Sequence, residues 1–265
     1  KFITIIIMGI TMNFTKLALA TAMTVAAGAA SAETFFYDNS VSVLYGQDYE
    51  VGDSDRAVVT FEHFSAHSWG DIFVFADRLM DQGKDNEQNL GDGTETYIEV
   101  APRFKVSDFD AGFVKNVYVA TTWEMSEAED NLLVGLGTDF NVPGFQNLSL
   151  NAYQRLNDNY ENNYQTTLVW GVPFAIAGQN FMFDGFWDWA TATDEDNKAA
   201  TSNFTYQLKW DAAQALGTDN KVYVGIEHAV WDNKFGIEHG TDFGFGDGPT
   251  DTKENVVSAL VKVHF

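Results

Sequence analysis

Asp71, Phe73, Phe75 and Asp77 stand at alternate positions, and so do Tyr97, Glu99, Arg103 and Lys105 further along the chain. In extended backbone, alternate residues share one face, so each segment would present rings beside charged groups along a single wall. Such a wall suits a solute channel, without naming the solute. Rings offer apolar faces, while carboxylates, hydroxyls and guanidinium groups offer hydrogen-bond acceptors and donors. Passage through a pore favours several such weak sites over one tight pocket.

The same parity argument adds Tyr153, Arg155 and Asp184 as lining residues, within a wider inward set of Asn116, Tyr118, Glu124, Asp139, Asn151, Asp188, Lys209, Tyr223, Glu227 and Lys262. Acids outnumber bases there, so an unspecific pore built from these residues would prefer cations. Three readings stay open for Phe73 and Phe75: lining for a solute, plugs that fill a small barrel, or rings on the lipid face. For Glu99, Arg103 and Lys105 the plain alternative is an inward salt-bridge ladder, with Glu62 or Asp71 supplying partners from neighbouring strands.

Hydrolytic chemistry is the rival. A barrel protease needs His with paired carboxylates at the outer rim, and a lipase or deacylase needs Ser with His near the lipid face. The chain has five histidines, His63, His67, His228, His239 and His264. None has an orienting partner identifiable from the sequence, so no enzyme is expected. His63 and His67 lie four apart in an extended segment and its turn, which is not the helical spacing of a metal-ligand pair. No cofactor and no metal are called for.

These side chains need elements to hold them, and composition narrows the choice. The 265 residues carry 38 Asp+Glu against 15 Lys+Arg, a net charge of −23. That balance removes the counterion-release drive for nucleic acid, so no nucleic-acid partner is expected. With no cysteine, disulfide frameworks and Cys-ligated metals are excluded. Aromatic residues make up 15% of the chain, too many for a disordered acidic segment.

Met12 is followed by a Lys, an apolar run and the small residues Ala30, Ser31 and Ala32. This is the pattern of a secretory signal, so residues 1–32 are expected to be a leader that is removed, leaving 33–265 as one domain. Beyond it no stretch approaches the apolar length of a membrane helix. Instead, about twelve segments alternate with period 2, near 40–46, 56–65, 69–77, 94–106, 113–124, 131–141, 147–157, 164–174, 180–190, 202–211, 221–231 and 254–265. Their even number and the longer odd-numbered connections predict an all-β, antiparallel, up-and-down transmembrane barrel with its long loops outside. Trp123, Tyr164, Trp170, Trp187, Trp189, Tyr206 and Trp210 would form aromatic girdles at strand ends. In the final segment Val257, Ala259, Val261, Val263 and Phe265 share the apolar face, an ending that outer-membrane barrels of Gram-negative bacteria carry for assembly.

Four blocks in series, DIFVFAD at 71–77, IEVAPRF at 98–104, GLGTD at 135–139 and LSLNAY at 148–153, resemble the Tsx/OmpK-type nucleoside-specific channels of the outer membrane. The resemblance runs from about residue 40 to Phe265 and is closer to the OmpK-like branch, which is associated with marine bacteria and phage adsorption. It implies a monomeric twelve-stranded barrel, embedded in outer-membrane lipid, with a narrow pore for passive uptake of nucleosides and deoxynucleosides. It also implies outer loops usable by bacteriophage, for which 78–93 and 232–253 are the candidates. The alternative is a general small-solute or cation porin, or a surface receptor or adhesion barrel, without nucleoside selectivity.

Overall fold

The computed structural model describes residues 33–52, 54–81, 94–107, 112–127, 129–242 and 250–265. The expected leader at 1–32 therefore lies outside the described residues, as do most of loop 78–93 and the centre of loop 232–253.

Alternating apolar and polar residues stiffen the chain into twelve strands: β1 Thr34–Gly46, β2 Arg56–His67, β3 Gly70–Asp81, β4 Thr94–Ser107, β5 Val114–Met125, β6 Asp130–Phe140, β7 Asn147–Leu156, β8 Asn163–Ile176, β9 Gln179–Ala190, β10 Thr201–Asp211, β11 Val222–Asp232 and β12 Asn255–His264. Every strand pairs antiparallel with its neighbours in the chain, and β12 closes on β1. The seam is in regular register from Ser40 opposite His264 to Gly46 opposite Ser258. Closure removes sheet edges, as an environment without water demands of backbone polar groups.

All twelve expected segments are strands. β1 starts at Thr34, earlier than the alternation suggests, because Phe35, Phe36 and Tyr37 break the apolar–polar pattern; Thr34, Phe36 and Tyr37 still pair with the end of β2, and the register shifts at Phe35. Side-chain parity is clearest in β12. Val257 and Val261 are 53% and 46% exposed on the outside, whereas Val256 and Leu260 are 2% exposed on the inside. The outward valines are the lipid-facing band. Inside, Leu44, Val58 and Leu260 pack with Leu79 and fill part of the interior near the outer rim.

The connections differ between the two ends. At one end, β8 and β9 join through Ala177 and Gly178, with φ of 52° and 79°, the left-handed pair that a two-residue hairpin requires. At the other, loops fold over the mouth. Lys234 Nζ reaches both Glu254 carboxylate oxygens at 2.6 and 2.7 Å, beneath the rings of Tyr49, Trp231 and Phe235. Burial lowers the Lys234 pKa, and Glu254 works against that shift. The short turns mark the periplasmic end and the long loops the outer surface.

The aromatic girdle holds in part. Tyr164, Trp187 and Trp189 are exposed on the outside, and Trp210 Nε1 donates to Gln179 at the periplasmic rim. Trp170 departs from the expectation. It is buried mid-wall, stacked on Phe204 at 5.4 Å and against Phe183 at 6.0 Å. Gly185 makes the room, since a Cβ there would lie 2.9 Å from the indole. Tyr206 joins the same cluster, 5.4 Å from Phe183.

Candidate functional site: a charged and aromatic lumen

The barrel encloses a cavity of about 2580 Å³, bordered by inward residues of every sector from β1 to β12. β3 and β4 position its aromatic wall. Phe73 and Phe75, two residues apart on β3, have ring centroids 6.4 Å apart, and Phe75 meets Tyr97 of β4 edge-on at 6.3 Å. All three border the cavity, so Phe73 and Phe75 are not on the lipid face. Tyr97 donates its hydroxyl to Glu99 Oε1 at 2.7 Å, which fixes a carboxylate beside the rings.

Two arginine clusters bracket this wall. Toward the periplasm, Arg103 grips Asp71 through Nε at 2.8 Å and Nη2 at 2.7 Å, while its Nη1 reaches Asp139 at 2.9 Å. Tyr118 donates to the same Asp139 at 2.6 Å, and its ring lies under the guanidinium at 4.3 Å. β3, β4, β5 and β6 are thereby tied through side chains. The bidentate fork is the strong form of this pair.

Toward the outer mouth, Arg155 Nη2 pairs with Glu124 at 2.7 Å and Glu129 at 3.1 Å. Asn131 donates to both carboxylates, and Lys198 from the loop between β9 and β10 reaches Glu129 at 3.2 Å. Lys198 also sits 3.3 Å from the centre of the Tyr160 ring. Burial pushes the Glu129 pKa up, but the Lys198 and Arg155 charges outweigh it and hold the carboxyl below its ordinary value. Three outer loops meet in this clasp.

The opposite wall is a second ladder. Lys209 Nζ donates to Asp184 at 2.7 Å and to Gln207 at 2.8 Å. Lys262 of β12 pairs with Glu62 of β2 across β1, and Ser40 of β1 donates to the same carboxylate at 2.8 Å. Other acids meet neutral donors: Asp77 accepts from Thr60 and Asp188 from Thr167, both at 2.5 Å, and Glu227 accepts from Gln207 at 2.8 Å. The lumen keeps an excess of carboxylates, with hydrogen-bonding groups around most of its circumference.

Of the ten lining residues expected from parity, Asp71, Phe73, Phe75, Tyr97, Glu99, Arg103, Tyr153, Arg155 and Asp184 border the cavity. Lys105 does not. It keeps the inward parity and the β5 register of Arg103 but is exposed at the periplasmic end of β4, beyond the rim of the cavity. Glu99 bonds to Tyr97 rather than to a base, so it is no rung of the ladder. Tyr153 is 6% exposed and packs on Ala120 and Leu133, with its hydroxyl 3.4 Å from Thr122. Asn151 turns its amide toward Gly137, where a Cβ would come within 2.2 Å of its Oδ1. The Glu129–Lys198–Tyr160 clasp and the Lys234–Glu254 pair escaped the parity argument, because loops carry no period.

A closed barrel with apolar residues outside and a polar, charged cavity inside is an outer-membrane channel of the porin type. The chain belongs to the family described as nucleoside-specific channel-forming protein, Tsx, whose profile matches residues 33–264. It is 28% identical over 137 residues to the outer membrane protein OmpK of Vibrio parahaemolyticus, covering 48% of this chain and 49% of that protein. It is also 24% identical over 210 residues to the nucleoside-specific channel-forming protein Tsx of Klebsiella pneumoniae, covering 68% of this chain and 71% of that one. The chain thus spans about half the length of the OmpK relatives it matches. Among solved structures, a KdgM porin aligns with a TM-score of 0.49 at 9% identity, over 85% of this chain and 99% of that one. The family places the protein in the Gram-negative outer membrane.

Proposed function

We propose that the barrel passes nucleosides and deoxynucleosides by passive, weakly selective diffusion, acting as a monomer. The observation that carries this reading is the run of Phe73, Phe75 and Tyr97 along one wall, with Glu99 held beside it. Spacings of 6.4 and 6.3 Å between centroids give a base successive rings to stack on. The sugar hydroxyls then face acceptors such as Glu99 and Asp77. A neutral solute passes without paying for the acidic lumen, while rings used one after another keep binding modest enough for release.

The rival is a general porin that prefers small cations, which the excess of lumen carboxylates also suits. Planar-bilayer conductance of the refolded protein, titrated with adenosine or thymidine and with glucose as control, separates the two. Block by nucleosides at millimolar concentration or below, without block by glucose, is the expected result. Conductance indifferent to nucleosides overturns it. The exposed ring of Phe235 on the 232–253 loop supports the bacteriophage reading of that loop.

A further inference from the structure

On the outside of the barrel, on the opposite face of the wall from the Glu62–Lys262 pair, β1 and β2 hold a continuous hydrogen-bonded chain. His63 Nδ1 lies 2.8 Å from Asn39 Oδ1, and His63 Nε2 lies 2.9 Å from Ser65 Oγ. Ser65 Oγ is also 2.8 Å from His67 Nε2, and His67 Nδ1 is 3.0 Å from Thr34 Oγ1. Asn39 Nδ2 donates to the Phe265 carbonyl oxygen at 3.4 Å.

That last contact sets the direction of all the others. A carbonyl only accepts, so the Asn39 amide nitrogen faces Phe265 and its oxygen faces His63. His63 must then carry its proton on Nδ1, which leaves the Nε2 lone pair to accept from the Ser65 hydroxyl. With the serine proton committed to His63, His67 donates its Nε2 proton to Oγ and accepts from Thr34. Each ring is thereby placed as one donor and one acceptor in the chain. The result is a nucleophile, a base of the correct tautomer, and an amide that orients the base. The sequence left His63 without an orienting partner because Asn39 comes from another strand.

We propose that Asn39, His63 and Ser65 form a serine acyl-hydrolase site on the lipid-facing surface, acting on acyl esters of phospholipids in the periplasmic leaflet. Ser65 lies near the periplasmic end of β2, and Tyr37, its partner on β1, is 66% exposed on the outer face. Trp69 stacks on His67 with centroids 5.0 Å apart and marks the headgroup level. A membrane lipid is therefore the ester that meets this site.

In the reaction, Ser65 Oγ gives its proton to His63 Nε2 and bonds to the ester carbonyl carbon, whose oxygen becomes the oxyanion. Ser65 is 3% exposed beneath the two imidazoles. His67 turning from Oγ to the carbonyl oxygen both uncovers the nucleophile and supplies a donor to the oxyanion. The carbon–oxygen bond to the lysolipid breaks, and the departing oxygen takes the proton from His63 Nε2. Water then attacks the acyl-serine with His63 as base, releasing fatty acid and restoring the hydroxyl. Asn39 is a positioning residue.

The test uses the refolded full-length protein in vesicles of phosphatidylethanolamine and phosphatidylglycerol. Fatty-acid release is followed by mass spectrometry, and covalent labelling by a fluorophosphonate reagent is followed in parallel. The expected result is labelling at Ser65 and release that falls to the protein-free rate in Ser65→Ala and His63→Ala. Asn39→Leu should lower release at least about tenfold while Asn39→Asp restores part of it, which a purely structural role would not do. Variants are compared only where heat-modifiable migration shows a folded barrel, and Ser65→Cys is the substitute should Ser65→Ala fail to fold. Absence of both labelling and release from the folded wild-type protein overturns the proposal. Hydrolysis of p-nitrophenyl butyrate in solution but not of vesicle lipid overturns its lipid substrate.

Discussion

Removing the Phe75 ring tests the aromatic wall most directly. Phe75 sits between Phe73 and Tyr97, at 6.4 and 6.3 Å, so Phe75→Ala breaks the run in the middle and leaves two isolated rings. A lost base–ring stack costs about 1–3 kcal/mol. Since Phe73 and Tyr97 remain, the lower part of that range applies, about 1–2 kcal/mol, or roughly 5- to 30-fold in affinity. The adenosine concentration for half-block of single-channel current should rise by that factor. The conductance in plain salt should stay level or increase, because the removed ring borders the open cavity. Phe75→Tyr keeps the ring and should bind like the wild type. A Phe75→Ala channel that folds normally and is half-blocked within twofold of the wild-type concentration would refute the stacking argument.

Three other outcomes follow from the same geometry. Arg103→Leu leaves Asp71 and Asp139 facing each other without their shared cation, with side-chain exposures of 9% and 24%; breaking such a pair costs about 3–5 kcal/mol when dry. The loss should fall near the low end in a wet lumen, read as a lower urea midpoint together with stronger cation selectivity. Val261→Lys puts a charge on the lipid face of β12 and should destabilise the barrel by about 2–4 kcal/mol in vesicle unfolding, whereas normal stability would mean that this face meets water. The Glu129 clasp should respond to acid. Its folded pKa lies below the ordinary 4.5, so its contribution is complete above that value and is lost as pH falls through the lower folded one. Channel noise from loop motion should therefore rise only as the pH falls below 4.5, and Lys198→Met should bring that rise to higher pH.

Strand number, strand parity and the inward set could be read in the sequence because each depends on a period of two along one strand. Asp71, Phe73 and Phe75 share a face whatever β3 pairs with. What the period lacks is register. That Arg103 meets Asp71 and Asp139, while Glu62 meets Lys262, depends on how far neighbouring strands are shifted, and backbone pairing sets that shift. Lys105 shows the limit of parity itself, since it shares both the face and the β5 register of Arg103 yet lies exposed at the strand end, and a period of two says nothing of depth along the barrel. Trp170 shows another, for its burial needs Gly185 on the adjacent strand. The outer chain at Asn39, His63 and Ser65 was hidden for the same reason. Its two halves are separated in the sequence and meet only where β1 lies beside β2.

The Glu62–Lys262 pair reaches from the second strand to the last across the first. Glu62 is present once β2 forms, yet its cation arrives only with β12. During assembly an open sheet would therefore carry an uncompensated carboxylate on its concave side, beside Ser40, until the final hairpin swings in. Docking of β12 does two things in one motion, joining the backbone ladder at the seam and neutralising that charge. The ion pair thus favours the observed register of closure, because a β12 slipped by one residue would turn Lys262 outward and leave Glu62 bare.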